Sequence, residues 1–289
     1  MRHQAGRGSS TLMAKPYPPP AFVAPAKPGE PVGFFTDSSI CIGCKACEVA
    51  CKQWNNVPVD DIRYLNSSYD NTGELSANSW RHVAFIEKKQ ADGGVAWLMN
   101  SDVCKHCKEA ACLDVCPTGA IFRTEFDTVV VQADVCNGCG YCIAACPFGV
   151  LTRREGIASH PETNGVAQKC TLCYDRLSGG EEPACAHACP TKSIQFGPLD
   201  ELRERAQQRV ADLHAEGRTE ARLYLADERD NGIGGAGSMF LLLDEPGAYR
   251  LPEHPVVPTR RLKEIWGAAA MAAGLAVAGV LFAFGSSRR

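Results

Sequence analysis

The pattern of apolar and polar positions divides the chain into short elements. Five positions, Leu199, Leu202, Ala206, Val210 and Leu213, recur at steps of three and four with charged residues between them. That spacing predicts an amphipathic helix from Leu199 to Gly217, opened by Pro198 and closed by the glycine. Two apolar runs, His82 to Ile86 and Val95 to Met99, flank Gly93 and Gly94 and predict a β-hairpin. Ala120 to Arg123 and Thr128 to Gln132 predict a second hairpin turning near Asp127, and Ser238 to Leu243 a further strand. From Ile265 to Ser287 no residue is charged, with Trp266 at one end. A run of that length predicts one helix able to span a bilayer with an interfacial anchor. Gly274 and Gly279 among its alanines favour close packing on another membrane helix.

Cysteine changes this picture most. All sixteen cysteines fall between Cys41 and Cys189, in four quartets. They are Cys41, Cys44, Cys47, Cys51; Cys104, Cys107, Cys112, Cys116; Cys136, Cys139, Cys142, Cys146; and Cys170, Cys173, Cys185, Cys189. Disulfides need an oxidising compartment and give no reason for repeated two-residue gaps. Structural zinc commonly uses two separated Cys-x2-Cys pairs, which the Cys170/Cys173 pair alone would fit. The run Cys136-x2-Cys139-x2-Cys142-x3-Cys146-Pro147 is that of bacterial ferredoxins, where three cysteines hold one [4Fe-4S] cluster and the fourth holds its neighbour. Four quartets therefore predict four [4Fe-4S] clusters and a path for electrons.

The ferredoxin rule gives an organisation. The fold class expected is α+β, with two intertwined ferredoxin-like 2[4Fe-4S] modules, one inserted in the other, plus one C-terminal transmembrane helix. Residues 33–51 and 147–198 form the outer module, 52–103 an insert with a hairpin, and 104–146 the inner module. A short helix leads to each fourth cysteine, and Pro117, Pro147 and Pro190 stop three of these helices. Crossed ligation assigns Cys41, Cys44, Cys47 and Cys189 to cluster one. Cluster two takes Cys104, Cys107, Cys112 and Cys146. Cluster three takes Cys136, Cys139, Cys142 and Cys116, and cluster four Cys170, Cys173, Cys185 and Cys51. Residues 199–264 form a helix and strand region with a linker to the membrane span at 265–287.

The remaining signals are weaker. Residues 1–32 hold seven of the prolines and no apolar core of a secretory signal, which predicts an extended arm without a Sec-type leader. The formal charge of −3 has no basic footprint for nucleic acid. Lys45 and Lys52 either balance cluster charge or are solvated. Trp54, Trp80 and Trp97 are expected as core or cluster cover. His106 and His187 lie inside quartets whose cysteines already suffice, and are expected near the clusters or at the surface. Gly232-Ile-Gly234-Gly-Ala-Gly237 fits G-x-G-x-x-G but enters a strand, so it is expected as a flexible connector and not a dinucleotide site.

Several stretches resemble the iron–sulfur (beta) subunit of membrane-bound respiratory formate dehydrogenases. They are Cys41-Ile-Gly-Cys44-Lys-Ala-Cys47 with Cys51-Lys-Gln-Trp-Asn55, the stretch from Asn137 to Phe148, Lys169 to Arg176 with Glu182 to Cys185, and Asn78-Ser-Trp80. The resemblance covers about residues 35–285 and leaves the proline-rich arm outside. It implies a non-catalytic subunit that carries electrons from a large molybdenum or tungsten bis-pterin catalytic subunit, which oxidises formate, to a membrane cytochrome b subunit and quinone. It further implies a single-pass membrane anchor, a globular part on the outer, periplasmic face, and a cluster order of one, two, three, four toward the membrane. The same role in a hydrogenase or sulfur-compound reductase is the alternative. A soluble ferredoxin-like carrier and a zinc-stapled binding module are the other classes; the apolar span argues against the first and the cysteine run against the second.

Overall fold

The structure is a computed structural model that describes residues 26–59, 64, 66, 69–90, 93–156, 163–227 and 231–286. Most of the proline-rich arm, residues 1–25, lies outside the described residues. The end of the arm is tied down, since Gly29 N–H donates to Glu125 O at 2.8 Å and Val32 N–H to Phe126 O at 3.3 Å.

Ten strands and seven α-helices are described. In sequence order they begin with β1 (Val32–Asp37), α1 (Ala46–Trp54), β2 (Arg81–Lys89), β3 (Val95–Val103) and α2 (Ala111–Asp114). Next come β4 (Ile121–Arg123), β5 (Val129–Val131), α3 (Tyr141–Ala145), β6 (Thr152–Arg153), β7 (Ala167–Gln168), α4 (Tyr174–Ser178) and α5 (Ala184–His187). The last are β8 (Ile194–Pro198), α6 (Leu199–Ala215), β9 (Arg222–Tyr224), β10 (Ser238–Leu242) and α7 (Leu262–Ser286). Both expected hairpins form: β2 pairs antiparallel with β3, and β4 with β5. Asp127 takes the left-handed conformation that the second turn needs, at φ 61°.

One sheet gathers distant segments in the order β8-β1-β10-β9. β1 pairs antiparallel with β8 and parallel with β10. Side chains alternate across a strand, and here each face has its own cover. Phe35, Met239 and Leu241 point to one side, where Leu199, Leu202, Ala206 and Leu213 of α6 seal them. Phe34, Phe240 and Leu242 point to the other side, into the body that holds the cysteines. A strand covered on both faces is apolar throughout, which accounts for the unbroken burial of β1.

α6 is fixed to this sheet by charge as well. Arg209 donates from Nε to Asp37 Oδ2 at 3.0 Å, and the Asp37 side chain is fully buried. Asp37 also turns the chain toward the first cysteine loop, because its Oδ1 accepts from Ser39 N–H at 2.9 Å.

The glycine-rich segment 232–237 is not a loose connector. Lys108 N–H donates to Gly235 O at 2.9 Å, Glu109 N–H to Ile233 O at 3.0 Å, and Gly237 N–H to Lys105 O at 2.8 Å. Ile233 is completely buried. The glycines are required by close approach: a Cβ on Gly232, at φ +74°, would lie 1.8 Å from Pro255 O. The segment is a packed strap over the loop that carries Cys104 and Cys107.

Beyond the strap, Arg260 pairs with Glu109 at 3.2 Å and Thr259 hydrogen-bonds Asp114. α7 starts there, and none of its most apolar stretch is covered by the rest of the protein. Its 25 residues span about 37 Å at 1.5 Å per residue, enough for a hydrocarbon layer of about 30 Å. It is one candidate membrane span.

Two substitutions test this packing. Arg209→Met strands a buried carboxylate and is expected to destabilise the cluster-loaded protein by about 3–5 kcal/mol, read from the midpoint of urea unfolding; a loss below about 1 kcal/mol would contradict the role given to the pair. Gly232→Ala forces both a clash and a left-handed alanine, and is expected to cost more than about 2 kcal/mol. Faster hydrogen exchange at Val257, whose N–H donates to Gly232 O at 3.2 Å, would report the strap coming loose.

Candidate metal centres

The cysteine loops share one backbone device. In each quartet the first two cysteines stand in a Cys-x-x-Cys step, and the residue before the second cysteine is left-handed every time. These residues are Gly43 at φ 64°, His106 at 43°, Gly138 at 71° and Leu172 at 57°. A left-handed residue turns successive N–H groups toward one side and makes a cradle for negative charge. Leu172 N–H accordingly lies 3.2 Å from Cys170 Sγ, and the Gly43 N–H offsets part of the rise that burial imposes on the Cys41 thiol. Glycine adopts this conformation freely, whereas a non-glycine residue costs about 1–2 kcal/mol. His106 and Leu172 are held there by burial. Lys45 and Gly140, left-handed at the N-caps of α1 and α3, repeat the device one step further on.

The fold brings the cysteines together in four sets. Cys41, Cys44, Cys47 and Cys189 line one cavity with Val83 and Ser101. Cys104, Cys107, Cys112 and Cys146 line a second with Val129 and Phe148. Burial first, then Cys136, Cys139 and Cys116, raise Cys142, and burial first, then Cys170, Cys185 and Cys173, raise Cys51, so these thiols are neighbours in a third and a fourth group. Each set takes a cysteine from a remote segment because α1 packs on α5 and α2 on α3. The two Cys-Pro-Thr steps are alike: Thr118 Oγ1 lies 3.7 Å from Cys116 Sγ, and Thr191 Oγ1 lies 3.7 Å from Cys189 Sγ.

Burial first, then repulsion between neighbouring thiols, pushes Cys41, Cys47 and Cys142 up to about 11 and Cys112 up to about 12. Cys116 behaves differently: its slight burial raises it, but the N–H groups of Ile121, Thr118 and Ala120 outweigh that and hold it below the ordinary value. The sets thus oppose thiolates unless a metal centre takes their charge. Four thiols drawn from two separate segments and lining one cavity match the donor set of a [4Fe-4S] cluster.

Neighbouring sets are related by single pairs of thiols. Cys47 of the first set feels Cys185 of the fourth. Cys170 of the fourth feels Cys104 of the second, and Cys112 of the second feels Cys142 of the third. The first set therefore adjoins the fourth, the fourth the second, and the second the third, an adjacency that differs from the sequential order the resemblance implied. The first set is open to the surface at Cys44, beside exposed Ile42 and Val49. The strap and the start of α7 lie against the second set, where Val257 lines the cavity, and against α2, which leads to Cys116 of the third.

Three cations in this body escape a reading by motif. Arg81, Lys105 and Lys169 are each 1–2% exposed. Lys169 donates to Cys170 O at 3.0 Å and to Val129 O, and it offsets part of the rise that burial imposes on Cys112. Lys105 pairs with Asp102 and donates to Val103 O at 2.8 Å, 5.1 Å from the Phe148 ring centroid and 5.0 Å from that of Phe240. Burial alone would lower the Arg81 guanidinium, but Cys185, Cys47, Cys170 and Cys51 more than offset it and raise it. The only hint in the sequence is position, since Lys105 and Lys169 are each next to a cysteine in sequence.

Other expectations divide. His106 is buried, and its Nδ1 accepts from Val129 N–H at 3.1 Å; burial holds it well below the usual histidine range. His187 is at the surface, 2.9 Å from Glu182. Lys45 is engaged by Glu48 at 2.9 Å and Asp70 at 3.0 Å, and Lys52 by Pro58 O at 3.3 Å. Trp80 is half-buried, with Nε1 donating to Ala77 O at 2.9 Å. Trp54 and Trp97 are nearly half exposed and are not core. Trp54 is held from outside: the Arg176 guanidinium stacks 4.2 Å from its ring centroid, and its Nε1 donates to Asp175 at 2.8 Å.

Two family profiles, each described as a 4Fe-4S dicluster domain, match residues 40–120 and 95–199. The chain is 44% identical over 227 residues to the nitrate-inducible formate dehydrogenase iron–sulfur subunit of Escherichia coli K12, covering 77% of this protein and 73% of that one. It is 41% identical over 243 residues to the formate dehydrogenase-O iron–sulfur subunit of the same organism, covering 82% and 77%. The B subunit of that organism's anaerobic dimethyl sulfoxide reductase is 40% identical over 179 residues, covering 60% and 76%. With four sets of cysteines in two dicluster domains, the chain belongs to the family of formate dehydrogenase iron–sulfur subunits, the electron-transfer subunits that carry four [4Fe-4S] clusters in an oxidoreductase complex.

Proposed function

We propose that this chain is the non-catalytic conductor between a molybdenum- or tungsten-pterin subunit that oxidises formate and a membrane cytochrome b subunit that reduces quinone. The observation that carries this reading is the gathering of sixteen cysteines into four neighbouring sets, one of them open at an exposed loop and another against the root of an apolar helix. Bound to those sets, [4Fe-4S] clusters supply one-electron redox chemistry, so a two-electron oxidation is divided into single transfers.

The ligands follow the sets. Cys41, Cys44, Cys47 and Cys189 hold cluster one, and Cys104, Cys107, Cys112 and Cys146 cluster two. Cys136, Cys139, Cys142 and Cys116 hold cluster three, and Cys170, Cys173, Cys185 and Cys51 cluster four. The outer module, 33–51 and 147–198, thereby encloses the inner one, 104–146. The β1–β8 pairing and the α1–α5 contact support this, since both tie the two halves of the outer module. The surrounding side chains keep water out and hold the sulfurs apart. The catalytic subunit docks at the open first set. α7 crosses the bilayer beside the cytochrome subunit, with the globular part on the outer face.

Two measurements check this. Formate added without oxygen to the detergent-solubilised complex is expected to reduce both its iron–sulfur and haem signals. Clusters that respond to dithionite but not to formate would move the chain to a sulfur-compound reductase or a hydrogenase. Cys51→Ala is expected to damage the cluster of Cys170, Cys173 and Cys185, lowering iron by about a quarter if that one cluster of four is lost. Loss of the Cys41, Cys44 and Cys47 cluster instead would show that the modules are paired wrongly.

A further inference from the structure

Arg81 opens β2 and is 1% exposed. Part of its guanidinium is satisfied by Ser101 and Phe34. Nη1 donates to Ser101 O at 3.2 Å and to Ser101 Oγ at 3.0 Å, and the group lies 4.7 Å from the ring centroid of Phe34. Ser101 Oγ is in turn 3.4 Å from Cys47 Sγ. The other donors, Nε and Nη2, are buried and meet no oxygen or nitrogen acceptor. Lys105 and Lys169 differ, because each is matched by oxygen atoms.

A buried guanidinium with two unmatched donors is unfavourable unless something negative stands beside it. The groups that act on it are Cys185, Cys47, Cys170 and Cys51. One belongs to the first set and three to the fourth. Neutral thiols are weak acceptors; thiolates bound to a cluster are strong ones and carry net negative charge. The guanidinium has the shape for this place, since its planar fork sends donors in more than one direction while staying charged at any working pH. A lysine would present one mobile point charge.

We infer that Arg81 is a cation shared by clusters one and four, with Nε and Nη2 directed at their sulfurs, and that it raises the reduction potentials of both. The inference rests on the ligand assignment proposed above. Its physics is simple. Reduction adds negative charge to a cluster, and a fixed positive charge in a dry, low-dielectric site stabilises the reduced form more than the oxidised form. Because the same cation faces both clusters, it also offsets their mutual repulsion when both are reduced. Arg81 is a positioning and tuning residue, since it touches no formate or quinone.

The test uses the whole complex and potentiometric titration followed by electron paramagnetic resonance. Cys47→Ser and Cys185→Ser first assign the signals of clusters one and four. Arg81→Met is then expected to shift those two midpoint potentials downward together, with the other two unmoved. Arg81→Lys keeps the charge and is expected to give smaller, unequal downward shifts; if Arg81→Met fails to assemble, Arg81→Lys alone decides. Four unchanged potentials, a shift of one cluster only, or equal shifts of all four would overturn the role of Arg81. If Cys47→Ser and Cys185→Ser perturb the same cluster, the ligand assignment fails, and the shared cation fails with it.

Discussion

The protein must keep sixteen cysteines largely out of water and still let them bind metal as thiolates. Burial opposes that, as the raised thiols of Cys41, Cys47, Cys112 and Cys142 record. Three local features work against the penalty. Left-handed residues recur at Gly43, His106, Gly138 and Leu172, and at Gly43 and Leu172 their N–H groups meet sulfur. Hydroxyls from Ser101, Thr118 and Thr191 stand next to Cys47, Cys116 and Cys189. Cations at Arg81, Lys105 and Lys169 are buried among the sets. Lys105 and Lys169 are matched by oxygen atoms, whereas Arg81 keeps two unmatched donors that are unfavourable in a dry core without negative charge beside them. Clusters and fold therefore depend on one another, and the protein without clusters would hold raised thiols beside a stranded guanidinium.

The same constraint shapes the topology. A set that draws its fourth cysteine from a remote segment requires that segment to return, so α1 meets α5 across more than a hundred residues. The sheet then closes the ends of that path. β1 leads into the first set, β8 leaves it, and β10 enters between β1 and β9 with Ser238 Oγ donating to Cys104 O at 2.9 Å. Phe34 and Phe240 back the cysteine body, while Phe35 and Leu241 are covered by α6. The helix thus serves as a lid on the sheet and leaves the opposite face free for the metal-binding body.

Local pattern made much of this readable. Both hairpins, α6, β10 and the apolar C-terminal helix follow from periodicity and turn residues, which depend on neighbours a few positions away. The grouping of cysteines followed from spacing for the same reason. What the sequence hid depends on distance in space. Arg81 sits in a strand whose far end carries exposed Lys88 and Lys89, and only the fold separates the buried cation from the solvated ones. The strap at 232–237 read as flexible because glycine in a sequence has two meanings; here Gly232 is a place where the backbone of another segment leaves no room for a Cβ, and Gly234 and Gly237 lie close against Glu109 and His106. The tryptophans misled because size alone argues for burial, while Trp54 is satisfied at the surface by Arg176 and Asp175.

The strap also explains how an apolar helix and a cysteine body stay in register. Residues 105–109 bond the strap, Gly232 receives Val257, and Val257 lines the second cavity. Two residues later Thr259 meets Asp114 in α2, and Arg260 meets Glu109. α2 carries Cys112 and leads to Cys116, so the root of α7 is bonded to elements of both the second and the third sets. A flexible linker would let the helix wander by many ångströms relative to those sets. A short, hydrogen-bonded link keeps the root of the helix at a fixed distance from them. If electrons leave for a membrane partner, as proposed above, the glycines that make the strap possible set that distance, although they touch no metal.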